Sequence, residues 1–434
     1  MRTAATGRVA YINARLLDPA TGLDAPGALL TDGEDIADVG PRLAAEGLAE
    51  DILRIDCKGA CLAPGLVDMR VQLREPGEEH KETLLSAGMA AVAGGVTSMV
   101  CLPNTDPVID DVATVEFVAR RARLNGLAKV YPYAAATKGL EGHELAEMGM
   151  LAEAGALGFT DGTRAIQNAQ VMRRALSYAA TFDALFIQHP EEPSLAKGVM
   201  HEGELSTRLG LTGIPVAAET IILERDMRLV ALTGARYHAS HISTAEGVDV
   251  IRRAKADGLR VSCDTAPPYF ALNELAVGDY RTFAKLSPPL RAESDRRAIV
   301  TAIEDGTISV IASDHAPQDQ DSKRLPFAQA ALGGVGLETL LPVSLELYHK
   351  GHLSLLELIR RLTLAPAQLL GLAAGQLKKG AAADLVLFDP DPAWIVQPER
   401  FQSKSKNTPF DGRPVQGKVL RTVVDGRTVF AVDE

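Results

Sequence analysis

The chain is expected to fold as a closed (β/α)₈ barrel carrying a small β-sandwich made from both chain ends. Three observations predict this. From residue 62 to about residue 370, eight apolar runs of strand length alternate with helical windows, the pattern of a parallel sheet wound on itself. The flanks, residues 1–60 and 366–434, read instead as short strands punctuated by turn residues. The 434 residues exceed one small domain and suffice for a barrel of roughly 250–300 residues plus an appendage.

The N-terminal flank offers strands at 9–12, 28–31, 36–39 and 52–56, separated by Asp18-Pro19, Gly22 and Asp32-Gly33, with one helical window at 43–50. The barrel, residues 61–365, opens with an apolar strand over 65–73 that ends in a polar turn. A helix and a second strand over 97–102 follow. Further strands are expected at 130–133, 156–160, 184–188, 235–239, 260–263 and 308–312, with helices such as 214–232 and 244–257 between them. Residues 316–328 form a polar loop beside the last strand. Beyond Pro366, strands at 375–389, 415–422 and 423–430 complete a composite domain with the N-terminal flank.

Composition narrows the function. Hydrophobic residues make up 46% and charged residues 23%, the profile of a soluble enzyme-like protein. No apolar run approaches the roughly 20 residues that span a bilayer, and the first eight residues lack the apolar core of a secretory signal. Cys57, Cys61, Cys101 and Cys263 show no zinc-finger spacing, so a reduced, cytoplasmic setting is expected. A net charge of −11 argues against nucleic acid or an anionic membrane as partner. It leaves room for an anionic small molecule, because a local arginine holds a carboxylate regardless of the global field.

In a barrel the chemistry sits where strands end. That rule singles out Arg70, Gln72, Arg74 and Asn104 from the first two strands, then Asp161, His189, His241 and Asp314. Each has a plainer reading. Asp161 and Asp314 also suit turns or helix caps, a lone strand-end histidine is more often structural than a ligand, and Arg74 has Glu75 and Glu78 within ion-pairing reach. His238 falls with the strand interior, and His315 supports the loop after Asp314. His80, His143, His201, His349 and His352 read as surface residues.

The segment Pro64-Gly65-Leu66-Val67-Asp68-Met69-Arg70-Val71-Gln72-Leu73-Arg74, with Asp161-Gly162, His189, His241 and Ser313-Asp314-His315-Ala316-Pro317, closely resembles the dihydroorotase branch of the amidohydrolase superfamily. The resemblance runs over essentially the whole chain. It implies that Asp161 bridges two metals, that His189 and His241 bind the second, and that Asp314 binds the first and moves the proton. It also implies that Arg74 and Asn104 hold a substrate carboxylate. Such enzymes cleave or close a cyclic amide with metal-bound hydroxide.

This chain departs from the family where metal is bound. The family writes its first strand as Pro-Gly-x-x-Asp-x-His-x-His-x-Arg; here Arg70 and Gln72 replace both histidines. A permanent cation cannot ligate a divalent ion and repels it. Ser287 stands where an asparagine is usual and Gln318 where a histidine is usual, and residues 265–270 lack a customary histidine pair. The first metal site is therefore expected to be lost. Asp161, His189 and His241 still suit a single zinc with an open position. Alternatively, Arg70 replaces the metal by pairing with Asp161 or Asp314. Zinc is thus expected at one ion per chain at most, or not at all.

The resemblance implies a protein of pyrimidine biosynthesis, catalytically impaired or inactive, kept as a structural partner of aspartate carbamoyltransferase. A working single-metal hydrolase acting on a small carboxylated pyrimidine precursor, and a sensor of a carboxylated ligand, are the alternatives. Assembly as a homo-oligomer is expected.

Overall fold

A computed structural model describes residues 7–43, 49 and 52–432. Its centre is a parallel barrel. Leu66–Val71, Val96–Cys101 and Lys129–Pro132 pair in sequence. Ala134–Ala135, Gly158–Thr160, Leu185–Gln188, Arg236–Ala239, Val261–Thr265 and Val310–Ile311 continue the order. Tyr133 joins the two arcs, its N–H donating to the Cys101 carbonyl at 2.9 Å. The barrel closes where Val71 bridges His315 and the Gln72 N–H meets the His315 carbonyl at 2.8 Å. All eight strands expected from the apolar runs are present.

Most of the strands form because their residues are buried on both faces. Val67, Met69, Val100, Tyr133, Ile187 and Val310 fill the interior together with Ala367 and Leu370 of the helix Leu364–Leu370. Leu66, Val71, Val96 and Phe159 face the surrounding helices. Close approach is built in at Gly65, where a Cβ would lie 2.2 Å from Thr97. Local signals set the helix limits. Thr83 caps Leu84–Ala93 with a reciprocal Ser86 contact. Asp111 caps Val112–Asn125, which Gly126 ends in a left-handed conformation.

The two chain ends share one sheet of eight strands among the described residues. Arg8–Asp18 pairs antiparallel with Leu23–Asp32 and parallel with both Leu53–Asp56 and Cys61–Pro64. Cys61–Pro64 then pairs antiparallel with Leu385–Ile395, which leads to Pro414–Val424 and Arg427–Ala431. Cys61–Pro64 thus lies in the composite sheet, while Leu364–Leu370 stays with the barrel. The helical window at 43–50 lies outside the described residues apart from Leu43 and Ala49. His201 is buried beside Arg291 (3.5 Å) rather than on the surface as the sequence suggested; the chain around it offers no periodic pattern to reveal that burial.

Residues 401–407 tie the sheet domain to the barrel mouth. Buried Glu82 accepts the Lys404 N–H at 3.0 Å and the Ser403 hydroxyl. Glu338 accepts the Gln402 and Ser403 N–H groups at 3.0 and 3.1 Å. Asn407 accepts from the Gln318 N–H at 3.2 Å and donates to the Gly333 carbonyl at 3.0 Å. Burial pushes the Glu338 carboxyl from its ordinary 4.5 up to about 7, against those N–H donors. The native state therefore binds more protons than the unfolded chain between these values, and stability falls as pH rises through them. Glu338→Gln is expected to remove about 3 kcal/mol of that pH dependence. Urea unfolding of both proteins at pH 5 and pH 8 measures it, and equal pH dependence in the two would contradict the assignment.

Candidate functional site

The site lies at the strand ends that form the barrel mouth. A cavity of about 370 Å³ there is lined by Arg70, Arg74, Asn104, Glu191, Asp314 and Gln318, among others. Three of the residues singled out by sequence hold left-handed backbones: Arg74 (φ 62°), His241 (φ 56°) and Asp314 (φ 51°). Residues without a glycine's freedom adopt that region at a cost, and such positions gather at functional sites. A register shift between Asp68 and Val71 falls where apolar Val67 and Met69 give way to Arg70 and Gln72.

Beneath the cavity runs a chain of charges. Arg70 is 2% exposed, and its Nε lies 3.4 Å from Asp314 Oδ1. The same oxygen lies 2.9 Å from His241 Nε2. His241 Nδ1 lies 2.9 Å from Asp264 Oδ1, and Asp264 Oδ2 lies 3.2 Å from His238 Nε2. Burial opposes a charge on His241, but Asp314 and Asp264 outweigh it and push its pKa up to about 8. Burial likewise opposes ionisation of Asp314, which His241 and then Arg70 hold below the usual carboxylate range. At neutral pH the cations Arg70 and His241 balance the anions Asp314 and Asp264. Each buried charge thus lies beside an opposite one, while Arg70 Nη1 and both His241 ring nitrogens make no aligned hydrogen bond.

The other candidates have hydrogen-bond partners of their own. Asp161 accepts the Thr137 N–H at 2.9 Å and its hydroxyl at 2.6 Å, and burial raises its pKa. Of the two partners expected for Arg70, the structure gives Asp314. His189 Nε2 meets Ser287 Oγ at 3.1 Å and Glu191 Oε2 at 3.5 Å. Burial lowers its pKa, so it is held neutral. Arg74 donates through Nη1 to Glu78 at 2.8 Å and through Nε to the Pro317 carbonyl at 3.1 Å, the plainer of its two readings. Asn104 Nδ2 donates to Gln72 Oε1 at 3.1 Å.

The donor set implied for zinc does not fit a metal as it stands. Among the described residues, no group of three or more His, Cys, Asp or Glu side chains is arranged to hold an ion. Both Asp161 oxygens serve Thr137, both His241 ring nitrogens face carboxylates, and a guanidinium stands beside Asp314. Asp161, His189 and His241 are therefore not brought together as one ligand set.

Sequence reasoning missed Asp264, Thr137 and Glu191. Asp264 lies one residue before the end of the Val261–Thr265 strand and Glu191 follows His189-Pro190, so position on the barrel was the available signal. Thr137 lies in a loop whose course local pattern does not reveal. His238 and His315 have the supporting roles expected of them. His238 Nδ1 lies 2.8 Å from Ser262 Oγ, and His315 Nδ1 accepts the Gly336 N–H at 3.2 Å.

Comparison with known proteins agrees with this architecture. The description "Dihydro-orotase-like" matches residues 59–247 and "Amidohydrolase family" matches residues 223–430. A dihydroorotase of Anaplasma phagocytophilum is 47% identical over 98% of this chain and 96% of its own. One from Pelobacter propionicus is 46% identical over 96% of this chain and 98% of its own. Among solved structures, an L-hydantoinase from Arthrobacter aurescens superposes with a TM-score of 0.86 at 24% identity, over 98% of this chain and 97% of that one. That likeness speaks for the fold alone. With relatives this similar along nearly its entire length, the chain belongs to the dihydroorotase family.

Proposed function

We propose that this protein is a dihydroorotase-family member of pyrimidine biosynthesis whose hydrolytic site is impaired. The observation that carries the reading is the Arg70–Asp314–His241–Asp264 chain. Its charges are already balanced, so a divalent ion would meet two cations and displace paired carboxylates. Without a metal, no group in the pocket generates hydroxide at neutral pH. Asp314 also lacks the raised pKa of a general base poised near neutrality.

The scaffold is well packed around this altered site, which supports a role for the folded surface as a structural partner of aspartate carbamoyltransferase. Such an interface should bury at least ~1,000 Å² and should persist in folded Asp314→Ala, whose change lies at the barrel mouth rather than on the outer surface. Size-exclusion chromatography with light scattering on the mixed proteins tests this. Co-elution is expected. Separate elution, with the partner fully assembled and active alone, would contradict it.

A second reading, a working cyclic-amide hydrolase with a single metal, draws support from the names of the relatives. It requires Asp161 to leave Thr137 and join His189 and His241.

A further inference from the structure

A second cavity, of about 560 Å³, lies where the C-terminal strands of the sheet domain meet the barrel helices, and it shares no lining residue with the barrel mouth. Trp394, Phe401 and Phe430 form its walls, with Pro342 and Val419. The Trp394 indole N–H donates to the Gly417 carbonyl at 2.8 Å, which fixes the ring. Ile395, 56% exposed, extends the apolar surface. Among the described residues Glu338 is the one acidic side chain lining this cavity, and part of its surface stays accessible. Its oxygens accept the Gln402 and Ser403 N–H groups and pair with no cation among the described residues. Lys406, whose charge acts on it, spends its ammonium on the Phe401 and Ser403 carbonyls, both at 2.6 Å, and Glu82 opposes the Glu338 charge. Arg400 and Lys418 line the same cavity from exposed positions.

Apolar walls with a few convergent polar groups are the common form of a small-molecule site. Aromatic walls suit an aromatic or branched apolar body. An ionised carboxylate has about four acceptor positions, so Glu338 keeps capacity for the N–H groups of an ammonium, and charge makes such a bond stronger than a neutral one. The exposed guanidinium of Arg400 suits a carboxylate on the solvent side. We propose that this interdomain cavity binds a free amino acid with an apolar, preferably aromatic, side chain. Glu338 takes its ammonium, Arg400 its carboxylate, and Trp394 packs against its side chain. Because Glu338 also anchors residues 402 and 403, the ligand sits on the tie between the sheet domain and the barrel. The inference does not depend on whether the barrel mouth hydrolyses anything.

Trp394 is the only tryptophan of the chain, so its fluorescence reports on this cavity. Titrations of the full chain use three probes of one shape: L-phenylalanine, phenethylamine, which lacks the carboxylate, and hydrocinnamate, which lacks the ammonium. Saturable change in Trp394 emission is expected with L-phenylalanine. Hydrocinnamate should bind about tenfold or more weakly, the worth of a charge-assisted bond. Phenethylamine should bind about threefold more weakly, since an exposed ion pair contributes less. Glu338→Gln should weaken L-phenylalanine and phenethylamine about tenfold while sparing hydrocinnamate. Arg400→Gln alters an exposed residue, so it keeps the test open should Glu338→Gln fail to fold; it should weaken L-phenylalanine about threefold and leave phenethylamine unchanged. The proposal is overturned if L-phenylalanine leaves Trp394 emission unchanged at millimolar concentration, if hydrocinnamate binds as tightly as L-phenylalanine, or if Glu338→Gln weakens all three probes equally.

Discussion

Asp264→Ala is expected to lower the stability of the folded chain by about 3–5 kcal/mol. Asp264 is fully buried, with His241 on one oxygen and His238 on the other, and it also accepts the His241 backbone N–H. Burial alone would raise its pKa, but His241 and His238 hold it far below the usual carboxylate range. Alanine leaves the two imidazoles and an amide without their acceptor and leaves His241 charged beside Arg70 with one anion fewer. Urea denaturation at pH 7 measures the loss. A change under about 1 kcal/mol, the range of an exposed ion pair, would show that Asp264 does not hold the charge chain together.

The double variant Arg70→His with Gln72→His is expected to raise the zinc held by about one ion per chain without restoring catalysis. It removes the cation beside Asp314 and supplies two neutral donors at the end of the Leu66–Val71 strand. Ser287 and Gln318 remain as they are, Ser287 on His189 and Glu191, Gln318 on Leu332 and Asn407. The substrate would therefore still be poorly held. Elemental analysis and dihydroorotate hydrolysis on the purified variant check both halves. Unchanged zinc would mean that Thr137 keeps Asp161 out of reach, and full activity would mean that the lost histidines were the whole defect.

Much of the fold was legible because its signals are local. Most barrel strands are short runs buried on both faces, so the runs at 184–188 and 235–239 announced Leu185–Gln188 and Arg236–Ala239. The pairing of Leu385 with Pro64, which stitches the chain ends into one sheet, was expected from the two β-rich flanks, but its register depends on residues more than 300 positions apart. At the site, position on a strand end identified Arg70, His241 and Asp314. It could not say which carboxylate Arg70 would meet, because that depends on how the last barrel strand closes on the first. The capture of Arg74 by Glu78 was one of two open readings, and the left-handed turn at Arg74 is not visible in the local sequence. Asp264 went unnoticed because its importance comes from two histidines on the neighbouring strand end, a contact absent from its own local sequence.

The most direct test of the proposed impairment is dihydroorotate hydrolysis measured beside zinc content on one sample of wild-type protein, before and after incubation with excess zinc. The expected result is at most one zinc per chain and turnover far below the usual enzyme range of about 1–10³ s⁻¹, with no gain from added metal. Two tightly bound zinc ions, or turnover within that range, would contradict it and return the Arg70–Asp314 pair to the role of a resting contact in a working hydrolase.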